Sequence, residues 1–268
     1  MIRRTFIDGP FGQLHVRTAG PHDASKPPVV LIHQSPSSSV AFANLMPALA
    51  ADRFVMAADT PGYGESDVPR GFTDAAPPSI ADYARAHGAA ADALGLVGAV
   101  DVMGFFTGSK IACALALQRP TQVRRLVLFG APIYTPEELA AERATYAPEV
   151  YTWDMAHLRK WWEHLKRGAP PGYPIDLFVR HFAEIQRGGP QSWWGHNAAF
   201  DYDFAEHLPK LGPPVLVMRT DDPQGAKTER ARPLLKNARF VVLPYMAQGL
   251  LDLHTAEVAG QIRAFLDT

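Results

Sequence analysis

The sequence predicts an α/β fold: a doubly wound, mostly parallel sheet with helices on both faces and a helical cap inserted between two strands. Short apolar runs rich in Val, Ile and Leu recur along the chain, and segments of helix length separate them. Because neighbouring parallel strands need long crossover connections, this alternation indicates βαβ units. The length of 268 residues suits one large domain, or a core with an insertion.

The predicted strands are apolar runs that end in turn-forming residues. They are residues 27–33, 53–59, 99–105, 123–132, 213–219 and 238–244. The predicted helices have apolar residues at helical spacing and cover residues 40–50, 80–98, 109–120 and 254–266. Ligands of such sheets bind at the carboxyl ends of the strands. We therefore expect the loops that follow these runs to form one site.

Residues 134–208 differ in composition from the rest of the chain. They contain all the tryptophans and half of the histidines. Pro170-Pro171-Gly172 and Gly188-Gly189-Pro190 divide the segment into short helices. We expect residues 1–133 and 209–268 to form the core, and residues 134–208 to form a helical cap that belongs to the same folding unit.

Composition excludes several classes of partner and cofactor. With 26 basic and 27 acidic residues, the chain offers no basic field for nucleic acid. Its single cysteine, Cys113, forms neither an internal disulfide nor a thiolate metal cluster. Glycine-rich nucleotide-binding motifs and zinc-binding histidine patterns are absent, which predicts no cofactor and no metal.

The location predicted from the sequence is the cytoplasm. No apolar run approaches the roughly 18 residues of a membrane span, and the first residues lack the apolar stretch of a signal peptide. The sequence therefore predicts no membrane partner, and it is compatible with a homodimer.

Several motifs in order resemble the α/β-hydrolase fold superfamily over essentially the whole chain. They are IHQSP (32–36), DTPGYGES (59–66), VMGFFTGSKIA (102–112), PVLVMRTDD (214–222) and the ending VLPYMAQGLLDLHTAEVAGQIRAFL (242–266). The resemblance implies a nucleophile at the centre of Gly-x-nucleophile-x-Gly, on a sharp turn between a strand and a helix. It also implies a histidine after the last strand and an acid after the preceding one.

The residues at the catalytic positions depart from that pattern. Phe106 stands at the nucleophile position and Gln248 at the histidine position, while the register leaves Asp221 or Asp222 as the acid. A phenyl ring cannot attack a carbonyl, and an amide does not titrate near neutral pH. Because loss of such a serine or histidine costs on the order of 10⁶ in turnover, the resemblance implies an atypical member without the usual Ser-His-Asp mechanism.

Other core residues could still act on a carbonyl oxygen. The backbone N–H of Thr107 is expected to point into the oxyanion site. Gln34 either donates a second hydrogen bond there or plugs the space, and Ser35 either contacts substrate or caps a turn. His33 either supports its loop or transfers a proton.

Aromatic residues are candidates for contacting substrate. Phe105 and Phe106 would give the pocket an apolar wall, or Phe106 would fill a collapsed cavity. Trp153, Trp161, Trp194 and His196 are the candidates from the cap, and for each the alternative is packing between cap and core.

Two functions remain open from the sequence. The first is a cofactor-independent enzyme that acts on a small apolar or aromatic carbonyl compound, hydrolase- or lyase-like, through positioning and oxyanion stabilisation. The alternative is a catalytically inactive protein of the same fold that binds a small apolar ligand.

Overall fold

The computed structural model describes residues 1–268 and contains a single eight-stranded sheet. Its strands are β1 (Arg3–Gly9), β2 (Gly12–Ala19), β3 (Val29–Ile32), β4 (Val55–Ala58), β5 (Val100–Phe105), β6 (Val123–Phe129), β7 (Val215–Thr220) and β8 (Ala238–Leu243). The order across the sheet is β1-β2-β4-β3-β5-β6-β7-β8. β1 and β2 form an antiparallel hairpin, β2 pairs antiparallel with β4, and all other neighbours are parallel. The predicted mostly parallel sheet is confirmed.

Helices cover both faces of this sheet. They are α1 (Leu45–Leu49), α2 (Ile80–Ala93), α3 (Thr107–Gln118), α4 (Pro136–Thr145), α5 (Ala156–Gly168), α6 (Ile175–Gln186), α7 (Trp194–Asp201), α8 (Phe204–His207), α9 (Pro223–Glu229), α10 (Leu250–Leu253) and α11 (Thr255–Leu266). Residues of α2 and α3 belong to one buried cluster, and those of α1 and α11 to another. In β3, Val30 faces the first cluster and Leu31 the second, because successive strand side chains point to opposite faces.

Local signals explain where several helices begin. α2 starts with a capping box, in which Ser79 accepts from the backbone N–H of Asp82 and the Asp82 carboxylate accepts from that of Ser79. Thr135 and Glu138 form the same motif at the start of α4. None of the helices combines the length and apolar character that a membrane span needs.

The structure differs from the expected elements at several points. The helix predicted over 80–98 ends at Ala93, since Gly95 has φ +73° and turns the chain. The segment 40–50 is a short 3₁₀ turn followed by α1, with Ser38 as cap of that turn. The hairpin β1–β2 was not predicted, because most β1 residues are exposed and form no apolar run.

Residues 134–208, called here the inserted segment, contain α4 to α8 between β6 and β7. Several hydrogen bonds join the segment to the rest of the chain. The Tyr63 hydroxyl donates to the Ser192 carbonyl at 2.9 Å and accepts from Gly195 N–H at 2.7 Å. The Trp194 indole N–H donates to Asp74 Oδ1 at 2.8 Å.

Candidate active site

A strained turn at Phe106 joins β5 to α3. Phe106 has φ 51° and ψ −105°, outside the regions that bulky residues ordinarily adopt. Its N–H donates to the Phe129 carbonyl at 2.8 Å. A Cβ on Gly104 would lie 2.1 Å from the Gly108 carbonyl oxygen, and one on Gly108 would lie 2.0 Å from that of Ile32. Both glycines are therefore required for this turn.

The ring of Phe106 packs at the top of the sheet and borders open space. Its centroid is 5.0 Å from that of Phe105 and 6.2 Å from that of Phe129, both in edge-on arrangements. Two of its ring carbons approach within 2.8 Å of where a Cβ on Gly130 would stand. The ring also lines two cavities, so part of it stays accessible to a ligand.

Two cavities meet around Phe106. The first has a volume of about 210 Å³ and the second about 570 Å³. Their common lining comes from the loops after β3, β5 and β8 together with the inserted segment: Gln34, Ser35, Phe106, Tyr146, His164, His196, Ala247 and Gln248. Together they have the size of an ordinary small-molecule site.

Two carboxamides in the common lining have buried atoms without hydrogen-bond partners. These are the acceptor Gln34 Oε1 and the donor Gln248 Nε2. Buried polar groups are rarely left unpaired in folded proteins. A bound ligand with its own donor and acceptor would satisfy both.

Asp222, and not Asp221, faces the site. Asp221 is exposed, whereas Asp222 lines the second cavity. The Asp222 carboxylate accepts from the backbone N–H of Gly225 at 2.8 Å and from that of Ala247 at 3.2 Å. Its role in the structure is thus to anchor the loop that carries Gln248.

His33 lines neither cavity. It is fully buried, its Nδ1 donates to the Gln34 carbonyl at 2.7 Å, and its Nε2 accepts from Thr60 N–H at 2.9 Å. Burial lowers the pKa of His33, so the ring is neutral at neutral pH. Because both ring nitrogens serve the backbone, the structure shows His33 in the first of the two roles that the sequence left open, the support of its loop.

A histidine and carboxylate pair lies in the wall of the first cavity. His181 Nε2 of α6 is 3.0 Å from Asp252 Oδ2 of α10. On its other side, His181 Nδ1 is 2.7 Å from the Tyr173 hydroxyl. Asn44 Nδ2 donates to the second Asp252 oxygen at 2.9 Å, which fixes the carboxylate. This pair joins the inserted segment to the core.

Aromatic side chains form the roof of the site. Tyr146 stacks on His196 with ring centroids 3.8 Å apart, and its hydroxyl is 3.4 Å from His164 Nε2. Burial lowers the pKa of His196 to about 3 and raises that of Tyr146 to about 12. Trp161 packs beside Tyr146 and lines the first cavity. Burial also lowers the pKa of His164, so the roof is uncharged near neutral pH.

The comparison with protein families agrees with this architecture. A sequence model of the alpha/beta hydrolase fold matches residues 27–160, which is half of the chain. The chain belongs to the α/β-hydrolase fold family. The match covers the turn at Phe106 and strands β3 to β6.

Two proteins of known name are similar to this chain in sequence, and one solved structure is similar to it in fold. A non-heme chloroperoxidase from Streptomyces lividans is 28% identical over 267 residues, covering 92% of this chain and 93% of that protein. A 2-hydroxy-6-oxo-2,4-heptadienoate hydrolase from Pseudomonas putida is 38% identical over 107 residues, covering 39% of this chain and 37% of that protein. The enol-lactonase structure from Burkholderia xenovorans superposes with a TM-score of 0.81 at 17% identity, covering 98% of this chain and 100% of that one. This last likeness concerns the fold.

Within the α/β-hydrolase fold, most residues predicted for the site border the cavities. Phe105 lines the first cavity, and Thr107 and Asp222 line the second. Thr107 opens α3, where the first N–H groups have no partner within the helix.

Two predicted tryptophans do not contact the site. Trp153 is fully exposed in the turn before α5. Trp194 is buried, but its indole N–H is bound to Asp74, so it packs the inserted segment against the core. Sequence alone did not distinguish these from Trp161, because short helices leave side-chain direction undetermined.

Sequence reasoning gave no individual role to several polar residues that border the cavities, among them Lys110, Tyr146, His181 and Asp252. Only Lys110 carries a signal in the sequence. It is the one charged residue in the otherwise apolar and small-residue helix α3. The other three come from separate segments that only the tertiary structure brings together.

Proposed function

We propose that this protein is an enzyme of the α/β-hydrolase family that acts on a small apolar or aromatic carbonyl compound without a serine nucleophile. The observation that carries this proposal is the phenyl ring of Phe106 at the apex of a turn that keeps its strained geometry. Such strain costs about 1–3 kcal/mol and persists where the surroundings over-determine it, often at functional sites. The protein is accordingly an atypical member that lacks both the serine and the histidine of the usual mechanism.

Oxyanion stabilisation and positioning supply the proposed catalysis. The N–H of Thr107 at the start of α3 would donate to the substrate carbonyl oxygen, and the Gln34 backbone N–H has no partner in the structure and lies in the neighbouring loop. One such donor is worth about 10²–10³ in rate. The Phe106 ring would hold an apolar group of the substrate against this donor pair.

The proposed acid–base group is His181. Asp252 orients its ring from one side, and the Tyr173 hydroxyl contacts the other. With Nε2–H donated to Asp252, Nδ1 accepts a hydrogen bond from the Tyr173 hydroxyl, and it can take a proton from a substrate that replaces this hydroxyl. In this proposal residues 134–208 act as a cap, since α6 brings His181 to the cavity.

The alternative is a protein that binds the ligand and returns it unchanged. One observation favours it: both Asp222 oxygens are held by backbone N–H groups, so the family's acid position activates nothing. The same experiment decides between the two functions.

Incubation with benzoylacetone and with phenyl acetate tests the proposal. Quenching of tryptophan fluorescence, with Trp161 in the cavity wall, reports binding, and chromatography over time reports consumption. We expect consumption of at least one compound, reduced about 10²–10⁴-fold in His181→Gln. His157→Gln is the matched control, because His157 belongs to the inserted segment but lines neither cavity. Quenching with full recovery of both compounds would support the binding protein instead.

A further inference from the structure

Lys110 is a buried cation in the wall of the second cavity. It follows Thr107 by one helical turn in α3 and is 5% exposed. Its ammonium donates to the Ala199 carbonyl of α7. The rings of Phe204 and Tyr134 lie 5.6 Å and 5.8 Å from Nζ. A lysine ammonium has three N–H donors, so most of its hydrogen-bonding capacity is unused.

The ion pairs that lysines form within 4.0 Å do not include Lys110, so no carboxylate of the protein neutralises it. Buried lysines are seldom found without such a partner, because desolvating a charge is costly. Of the charged groups on other elements, Arg143 lowers the pKa of Lys110 and Asp203 raises it, and Arg143 is bound to Asp201 at 2.7 Å. Burial lowers the pKa of Lys110 to about 8, so it is still mainly protonated at neutral pH.

The acids that line the same cavity are already satisfied. Glu142 accepts from Lys227 at 2.8 Å and from Gln224 at 3.0 Å. Asp222 is bound by two backbone N–H groups. The other cation in the lining, Arg167, has no carboxylate partner either. The cavity lining therefore has two cations without an ionic partner, Lys110 and Arg167, against one such acid, Asp222, whose oxygens are already bound by backbone N–H groups.

We propose that the second cavity binds the carboxylate of an organic acid at Lys110, with the apolar part of that acid directed toward Phe106. This inference rests on the proposed function for the choice of cavity. It adds that the ligand is an organic acid. Gln34 and Gln248 line the same cavity as Lys110 and Phe106, and their buried Oε1 and Nε2 lack partners. An oxo group on its chain would accept from Gln248 Nε2.

Titration calorimetry with 3-benzoylpropanoate and its neutral amide tests the proposal. The two probes have the same ring, ketone and chain length and differ in charge. Breaking a buried charge pair costs several kcal/mol, so we expect the acid to bind the wild type at least about 30-fold more tightly than the amide. Lys110→Met should lose this preference and keep its affinity for the amide. Lys110→Arg should retain part of the preference, because it retains the charge.

Lys236→Met is the matched control, since Lys236 is exposed and lies outside both cavities. Equal affinity of the wild type for acid and amide would overturn the proposal, and so would a preference that survives in Lys110→Met. If Lys110→Met does not fold, loss of the preference in Lys110→Gln carries the same meaning. Calorimetry measures binding alone, so an absence of turnover would refute the proposed function and leave this inference standing.

Discussion

At the scale of single residues, Phe106 determines what the site is able to do. Its backbone keeps a conformation that exposes a side chain above the sheet, while its ring removes any attacking atom. Gln248 lies at the common border of both cavities, where its amide can donate but cannot accept a proton at neutral pH. The protein therefore keeps the backbone geometry of an acyl-transfer site without the side chains that carry out the transfer.

Restoring the missing pair tests that separation. The double variant Phe106→Ser with Gln248→His should hydrolyse p-nitrophenyl acetate at least about 10²-fold faster than either single variant, because such residues act as a unit. The reason is that Asp222 already holds the loop beside position 248. Release of p-nitrophenol measures the effect. A folded double variant that stays at the buffer rate would show that the oxyanion donors are misplaced.

At the scale of elements, the turn between β5 and α3 depends on two close backbone approaches. Gly104 faces the Gly108 carbonyl, and Gly108 faces the end of β3. The start of α3 can lie this close to β5 and to the end of β3 only because neither glycine has a Cβ. The placement of Thr107 and Lys110 depends on the same contacts, since both belong to α3.

Substitution of Gly104 by alanine should therefore destabilise the protein. The added Cβ would meet the Gly108 carbonyl oxygen at 2.1 Å, and backbone cannot yield as a side chain does. We expect a loss of about 1–3 kcal/mol or more in the free energy of unfolding, measured by urea denaturation. Gly260→Ala is the control: it lies within α11 with open space around it, and alanine favours helix by about 1 kcal/mol. Similar midpoints for the two variants would contradict this account.

At the scale of the whole molecule, buried neutral histidines link stability to pH. His87 lies in the core with its Nε2 3.0 Å from Thr60 Oγ1, and His196 lies under Tyr146 in the inserted segment. Burial lowers the pKa of each to about 3 in the folded state, from an ordinary value of 6.5. The folded form therefore binds these protons at a much lower pH than the unfolded chain does.

The sign of the effect follows from the lowered values. The free energy of unfolding is not reduced by these groups above pH 6.5. It falls as the pH falls from 6.5 toward 3, because the unfolded chain binds protons there and the folded form does not. Each group contributes a slope of about 1.4 kcal/mol per pH unit well inside that window. We expect His196→Phe, which keeps the stacking on Tyr146, to unfold with a shallower pH dependence between about pH 6.5 and 4.5, above the range where most carboxylates titrate.

Urea midpoints at several pH values measure this dependence. The control is His22→Phe, because His22 is exposed. Parallel curves for the wild type and His196→Phe would mean that His196 takes up its proton in the folded state as readily as in the unfolded chain.

The amino-acid sequence by itself determined the sheet and the turn. Buried runs such as 29–32 and 100–105 define strands through local apolar pattern, and Gly104 marks a turn through its local contact with the Gly108 carbonyl. β1, which is mostly exposed, gave no such pattern. Only the tertiary structure decided which polar groups share the cavity. His181 meets Asp252, Lys110 donates to the Ala199 carbonyl, and His33 accepts from the Thr60 N–H. These contacts join distant segments whose side-chain directions no local pattern specifies.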